Sequence, residues 1–317
     1  MRTMPYLISV FDTNVYRALG DTDLANIMAD ERKRSVIANP CYQVVQELVA
    51  HLADQADPEF SACHSGLDRL GRHCRTFDGS RFQLRFPADA LDQVAMSVFG
   101  QGLSESVIPD EYAAIVGNVV DGAVAADWET HRSIFGEIAK DVRLSRAAFA
   151  SEMRAIVGRL ASSFGFPEGD LSAVLADQAR RKVLSNAFDS DDLLDGPAQM
   201  LYRQIARTLR VSFDEFPPAA ISQIRTTFPT PLRFMNQILK KAIFDGLNLE
   251  KRASLGHDLR ISFLASGSAK VDGCPVCLVT DDGLIHDAAA GAGTSAYVVR
   301  LDDYRRTLAT NAPLPGN

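Results

Sequence analysis

The stretch YLISVFDTN at residues 6–14 reads as a strand that stops at an acid. Tyr6, Leu7, Ile8, Val10 and Phe11 form a nearly continuous apolar run, as expected of a central strand buried on both faces, and Asp12 ends it. VCLVTDD at residues 276–282 repeats the pattern near the other end of the chain, with Val276, Leu278 and Val279 running into Thr280, Asp281 and Asp282. Between the two lie segments of different style. After the first strand come a helix over about Val15 to Met28, a short strand at Val36 and Ile37, and a helix whose Val44, Val45, Leu48, Val49 and Leu52 share one face, leaving Glu47 off it. From about Ser80 to Glu250 the periodicity is helical: Ala88 to Phe99, Glu111 to Ile138, Ser145 to Phe164, Leu171 to Phe188, Leu201 to Leu209 and Pro231 to Phe244. A helix over Ala253 to Ala265, the second acid-ended strand, a short helix at Asp287 to Ala292 and a strand at Ala296 to Leu301 complete the chain.

Strands alternating with helices imply a parallel sheet with crossovers. The expected fold class is therefore α/β. Residues 1–80 and 251–317 together form one discontinuous domain, and residues 81–250 a large, mainly α-helical insertion, far longer than an ordinary loop.

Composition narrows the function classes. At 46% hydrophobic and 23% charged residues over 317 positions, the chain has the make-up of an ordinary globular protein. The apolar start is too short to span a bilayer and runs into Asp12 rather than a small-residue cleavage site, so no membrane segment is expected. Five cysteines, an odd number, argue for a reducing compartment, with the cytoplasm as the default. A net charge of −7 is unlike a protein that coats nucleic acid, but bound cations would neutralise a cluster of carboxylates.

Acids at the carboxyl ends of two strands of one parallel sheet can be neighbours, because ligands bind beyond those ends. Asp12 and Asp282 are thus candidates to share a hard divalent cation, which takes oxygen ligands. The plainer reading is that each acid only caps the helix that follows it. Asp258 precedes a helix that is apolar nearly all round, where an acid is costly unless paired or metal-bound. Glu47, on the polar side of an amphipathic helix, is uninformative alone. Cys274-Pro-Val-Cys277 has zinc-knuckle spacing but lacks a second pair, and Cys63, His64, His73 and Cys74 offer no stronger set. Among the basic residues, Lys240, Lys241, Lys251 and Arg252 precede Asp258 and are the best candidates to meet a phosphate backbone.

These residues resemble a known family. Phe-Asp-Thr-Asn-Val-Tyr at 11–16 looks like the opening motif of PIN-like domains, Val-Val-Gln-Glu-Leu at 44–48 their second acidic motif, Leu-Gly-His-Asp-Leu at 255–259 the third and Leu-Val-Thr-Asp-Asp at 278–282 the fourth. The interval from Glu47 to Asp258 departs from the small members and resembles the larger PIN-like proteins with helical insertions. The resemblance implies a PIN-like fold and a metal-dependent nuclease, most often an endoribonuclease, of the toxin or defence kind, with DNA or branched substrates, or a catalytically silent binding module, as alternatives. It implies Asp12, Glu47, Asp258 and Asp282 as catalytic and metal-binding residues for one or two Mg²⁺ or Mn²⁺ ions, with Asp281 and Asp287 as additional candidates. Asn14 and Thr280 would orient the carboxylates. RNA is the implied partner, alongside an antitoxin or regulatory protein, or a second copy of the chain.

Overall fold

In the computed structural model, residues 7–74, 90–102, 110–163, 175–191, 193–271, 273–310 and 312–313 are described. The expected domain boundary at residue 80 and the start of the helix expected from Leu171 lie outside them. The molecule is mixed α/β, predominantly helical, with one mostly parallel sheet.

Five strands make the sheet: β1 (Leu7–Phe11), β2 (Val36–Ala38), β3 (Lys270–Val271), β4 (Cys274–Val279) and β5 (Val298–Val299). β1 is central and parallel to both neighbours, with Leu7 opposite Val36 on one side and Phe11 opposite Val279 on the other. On the far side of β4, β5 pairs in parallel and the two-residue β3 pairs antiparallel. All five residues of β1 are buried, as the apolar run requires. The ladder continues past the strand ends: Asp12 N–H donates to the Val279 carbonyl at 3.0 Å, and Thr280 N–H to that of Val299 at 3.0 Å. Register alone therefore sets Asp12 beside Thr280.

The helices are α1 (Thr13–Ala18), α2 (Asp21–Lys33), α3 (Tyr42–Ala50), α4 (Phe60–His73), α5 (Ala90–Phe99), α6 (Asp110–Val120), α7 (Ala123–Ala126), α8 (Trp128–Ser163), α9 (Gln178–Asp189), α10 (Asp195–Thr208), α11 (Pro218–Thr227), α12 (Pro229–Phe244), α13 (Leu255–Ser262), α14 (Gly283–Ala292) and α15 (Leu301–Thr310). Several differ from the sequence reading. The first helix is two, because Leu19 and Gly20 are extended and Gly20 opens α2 with Asp21 and Asp23 in its first turn. The helix expected over Glu111 to Ile138 breaks at Gly122, whose φ of 75° lies in the left-handed region, and its second half runs on as the 36-residue α8. The helix expected to reach Ala265 tightens into a 3₁₀ turn at Phe263–Ser266. The final strand shrinks to two residues and gives way to α15, which buries Tyr304 and Leu308.

One hydrophobic core joins the sheet to the middle of the chain. Leu7, Val10, Val279 and Ile285 share it with Phe135, Phe234 and Ile238. A second, smaller cluster gathers α5, α10 and α11 around Tyr202, Ile205, Ile224 and Phe263. Among the described residues no helix is long and apolar enough to cross a membrane.

Candidate functional site

Beyond the carboxyl ends of β1 and β4, four acids from four elements come together. Asp12 is fully buried and caps α1, its Oδ1 accepting from Thr13 N–H at 2.6 Å. Its Oδ2 accepts from the Thr280 hydroxyl at 2.7 Å. Glu47, on α3, accepts from the Thr13 hydroxyl at 2.9 Å through Oε2 and from Arg146 Nη2 at 3.0 Å through Oε1. Asp282 caps α14 by accepting from Ile285 N–H at 3.0 Å, while its own N–H donates to the Thr280 hydroxyl at 3.1 Å. Thr280, itself buried, thus links the two strand-end acids. Both acids also cap helices, so the plainer reading of them holds as well.

Asp258, in the first turn of α13, is the least compensated. No described residue donates a hydrogen bond to its carboxylate. Burial, then the negative charges of Asp12, Asp282 and Glu47, push its carboxyl up to about 9, against the opposing charge of Arg146. Burial also raises Asp12 to about 6; the Thr280 hydrogen bond opposes this, Glu47 adds to it, the Thr13 amide opposes and Asp282 adds. Next to Asp258, His257 is buried with no partner for its Nδ1 among the described residues. Burial lowers its imidazole to about 4, opposed by Glu47 and assisted by Arg146 and Arg260, so it is neutral at ordinary pH.

The remaining candidates scatter. Asn14 is exposed on α1, and Asp287 is exposed on α14. Asp281 points away, accepting from Leu301 N–H at 3.3 Å. Lys240 pairs with Asp189 at 2.6 Å, and Lys241, Lys251 and Arg252 are exposed. The cation that does reach the acids is Arg146, from the middle of α8. Neither it nor the Thr13 hydroxyl was singled out from sequence. Thr13 was at least adjacent to Asp12 in the opening motif, whereas Arg146 lies 99 positions from Glu47 and carried no local signal.

The donor set suits a hard divalent cation: carboxylate oxygens only, mutually repelling, one of them without a protein donor. The side chains are not yet arranged around one. Among the described residues, no three His, Cys, Asp or Glu stand as a ready-made metal-binding group. Asp12, Glu47 and Asp282 already accept hydrogen bonds, so ligation would use their remaining lone pairs and, for Glu47, release from Arg146. Of the discounted zinc candidates, His73 contacts Glu31 and Tyr16, and Cys63 is buried in the core. Comparison with protein-family models, with curated proteins and with solved structures found no match for this chain.

Proposed function

We propose that this chain is a PIN-like, metal-dependent nuclease, and in the first instance an endoribonuclease, with residues 81–250 as an insertion into the nuclease domain. The observation that carries the reading is the gathering of Asp258, Glu47 and Asp282 around the buried Asp12 at the strand ends, close enough for each to raise the carboxyl of Asp258, an arrangement of like groups that folding alone does not call for. A divalent cation bound there would lower the pKa of an attacking water and balance charge on the phosphate. Asp12, Asp258 and Asp282 would hold it, with Glu47 turning from Arg146 to complete the set. Thr280 fixes the orientation of Asp12 and the backbone of Asp282 together, so that two ligands from separate strands move as one unit.

Asp12→Asn is expected to keep the fold and to lose cleavage of single-stranded RNA in Mg²⁺ or Mn²⁺ by a hundredfold or more, an order of magnitude set by removing one ligand from a charge-stabilising centre. Parallel assays on single-stranded DNA and on branched DNA identify the substrate class. Undiminished cleavage by the variant would sink the proposed site. A second reading, a PIN-like binding module without turnover, draws on the capping roles of Asp12 and Asp282 and on the absence of a ready-made metal group among the described residues. It is favoured if the wild-type chain binds RNA and cleaves none of these substrates.

A further inference from the structure

Arg146 is where the helical middle of the chain touches the acids. Two contacts fix α8 against the domain on either side of it. At its start, Trp128 Nε1–H donates to the Leu52 carbonyl at 2.8 Å, in the turn that follows α3. One turn beyond Arg146, Phe149 lies so close to α13 that a Cβ on Gly256 would fall 2.9 Å from its Cγ and 3.1 Å from its Cβ. Only glycine at 256 permits that approach, and Gly256 stands two residues before Asp258. Between these contacts the guanidinium meets Glu47 through one nitrogen at 3.0 Å, with side-chain exposures of 26% and 17%. Its Nε is buried with no hydrogen-bond partner among the described residues.

This is poor geometry for a purely structural clamp. A guanidinium that anchors a helix usually engages a carboxylate through two parallel hydrogen bonds and leaves no donor stranded. Arg146 instead meets Glu47 through one hydrogen bond, keeps one N–H without a partner among the described residues, and acts by charge on Asp258.

We propose that Arg146 is a tethered counter-ion that competes with the divalent cation for the acidic site, so that the helical segment regulates metal loading. The proposal rests on the cation-binding reading above. In the cation-free form Arg146 compensates the acids and holds Glu47 turned away. Loading requires Glu47 to leave Arg146, which frees the guanidinium at the rim of the site.

The test is calorimetric titration of Mn²⁺ into the full chain. Arg146→Met, which keeps length and removes charge, is expected to bind Mn²⁺ about tenfold or more tightly than wild type, since a unit charge a few ångströms from the ion is worth at least that factor at intermediate dielectric. Arg146→Lys, which keeps the charge, should stay within about threefold of wild type. Gly256→Ala, which forces Phe149 and α8 back, should move affinity in the same direction as Arg146→Met. Asp12→Asn should weaken binding in every background. A structural clamp predicts the opposite sign: unchanged or weaker binding in Arg146→Met overturns the counter-ion role while the Asp12 response keeps the acidic site standing. Loss of the response to Asp12→Asn, or no Mn²⁺ binding by any variant, overturns both.

Discussion

Two acidic groups flank β1, one centred on the single buried Glu31 under the face that carries Ser9 and Phe11, the other around the buried Asp12 beyond its carboxyl end, and they are built on opposite plans. Glu31 is buried on α2 and is fully answered. Its Oε1 accepts from the Ser9 hydroxyl at 2.8 Å and from the Tyr304 hydroxyl at 2.5 Å, and its Oε2 meets His73 Nε2 at 2.7 Å. The other ring nitrogen of His73 contacts the Tyr16 hydroxyl at 3.0 Å, and Phe11 packs edge-on against the imidazole. β1, α1, α2, α4 and α15 are tied together by one carboxylate. At the strand end three of the acids have donors of their own but each raises the carboxyl of Asp258, which only the charge of Arg146 opposes and to which no described residue donates. A buried charge with every partner in place is structure; like groups crowded around a buried acid without matching donors are a cost that folding does not need.

The largest contrast should come from deleting one acid of each group. Glu31→Ala leaves His73 and two hydroxyls unpartnered in the core and should cost about 3–5 kcal/mol in denaturant unfolding. Asp258→Ala removes a group that has no donor and whose ionised form the fold disfavours, and should leave the chain at least as stable as wild type at pH 7. Equal losses would erase the distinction between the two groups.

A smaller effect separates them by pH. Asp12 and Asp258 are raised in the fold from 3.8 to about 6 and about 9, so the folded chain holds more protons than the unfolded chain between those limits. Their contribution is favourable below about pH 4 and is lost as pH rises through 6 and then 9, so stability should fall across that window. Asp258→Asn, neutral throughout, should flatten the upper part of the thermal-unfolding profile, and saturating Mn²⁺ should do the same by binding the ionised carboxylates. An unchanged slope in Asp258→Asn would show that the acids are solvated rather than coupled.

The smallest effect probes the link between the strand ends. Thr280→Val removes the donor to Asp12 and the acceptor for Asp282 N–H at nearly constant shape, and should cost about 1–3 kcal/mol. It should also raise the Asp12 carboxyl further, because the hydrogen bond that opposes burial is gone. Carboxyl titration by NMR reads that shift directly.

What could be read from sequence follows the range of the interactions. β1 and β4 were legible because a strand buried on both faces is a local apolar run, and their side-by-side placement followed from parallel-sheet logic. Asp12 and Asp282 inherit their position from those strands, and the face of Val44, Val45, Leu48, Val49 and Leu52 is buried as its spacing required. β3 and β5, at two residues each, are too short to carry a periodic signal. α15 was missed because only Tyr304 and Leu308 face inward on an otherwise polar helix. Glu31 stands in the run Glu31-Arg32-Lys33-Arg34, which as sequence looks like a solvated surface; only the return of Tyr304, 273 positions away, makes it a core residue. Arg146 was invisible for the same reason.

The account turns on whether the strand-end acids take up a cation together, and crystals soaked in Mn²⁺ and measured by anomalous diffraction test it most directly. The expected result is a manganese peak bounded by oxygens of Asp12, Asp258 and Asp282 at about 2.0–2.3 Å, with Glu47 turned away from Arg146. An empty cluster at saturating Mn²⁺, with Asp12 still held by Thr13 and Thr280 and Glu47 still on Arg146, would contradict it.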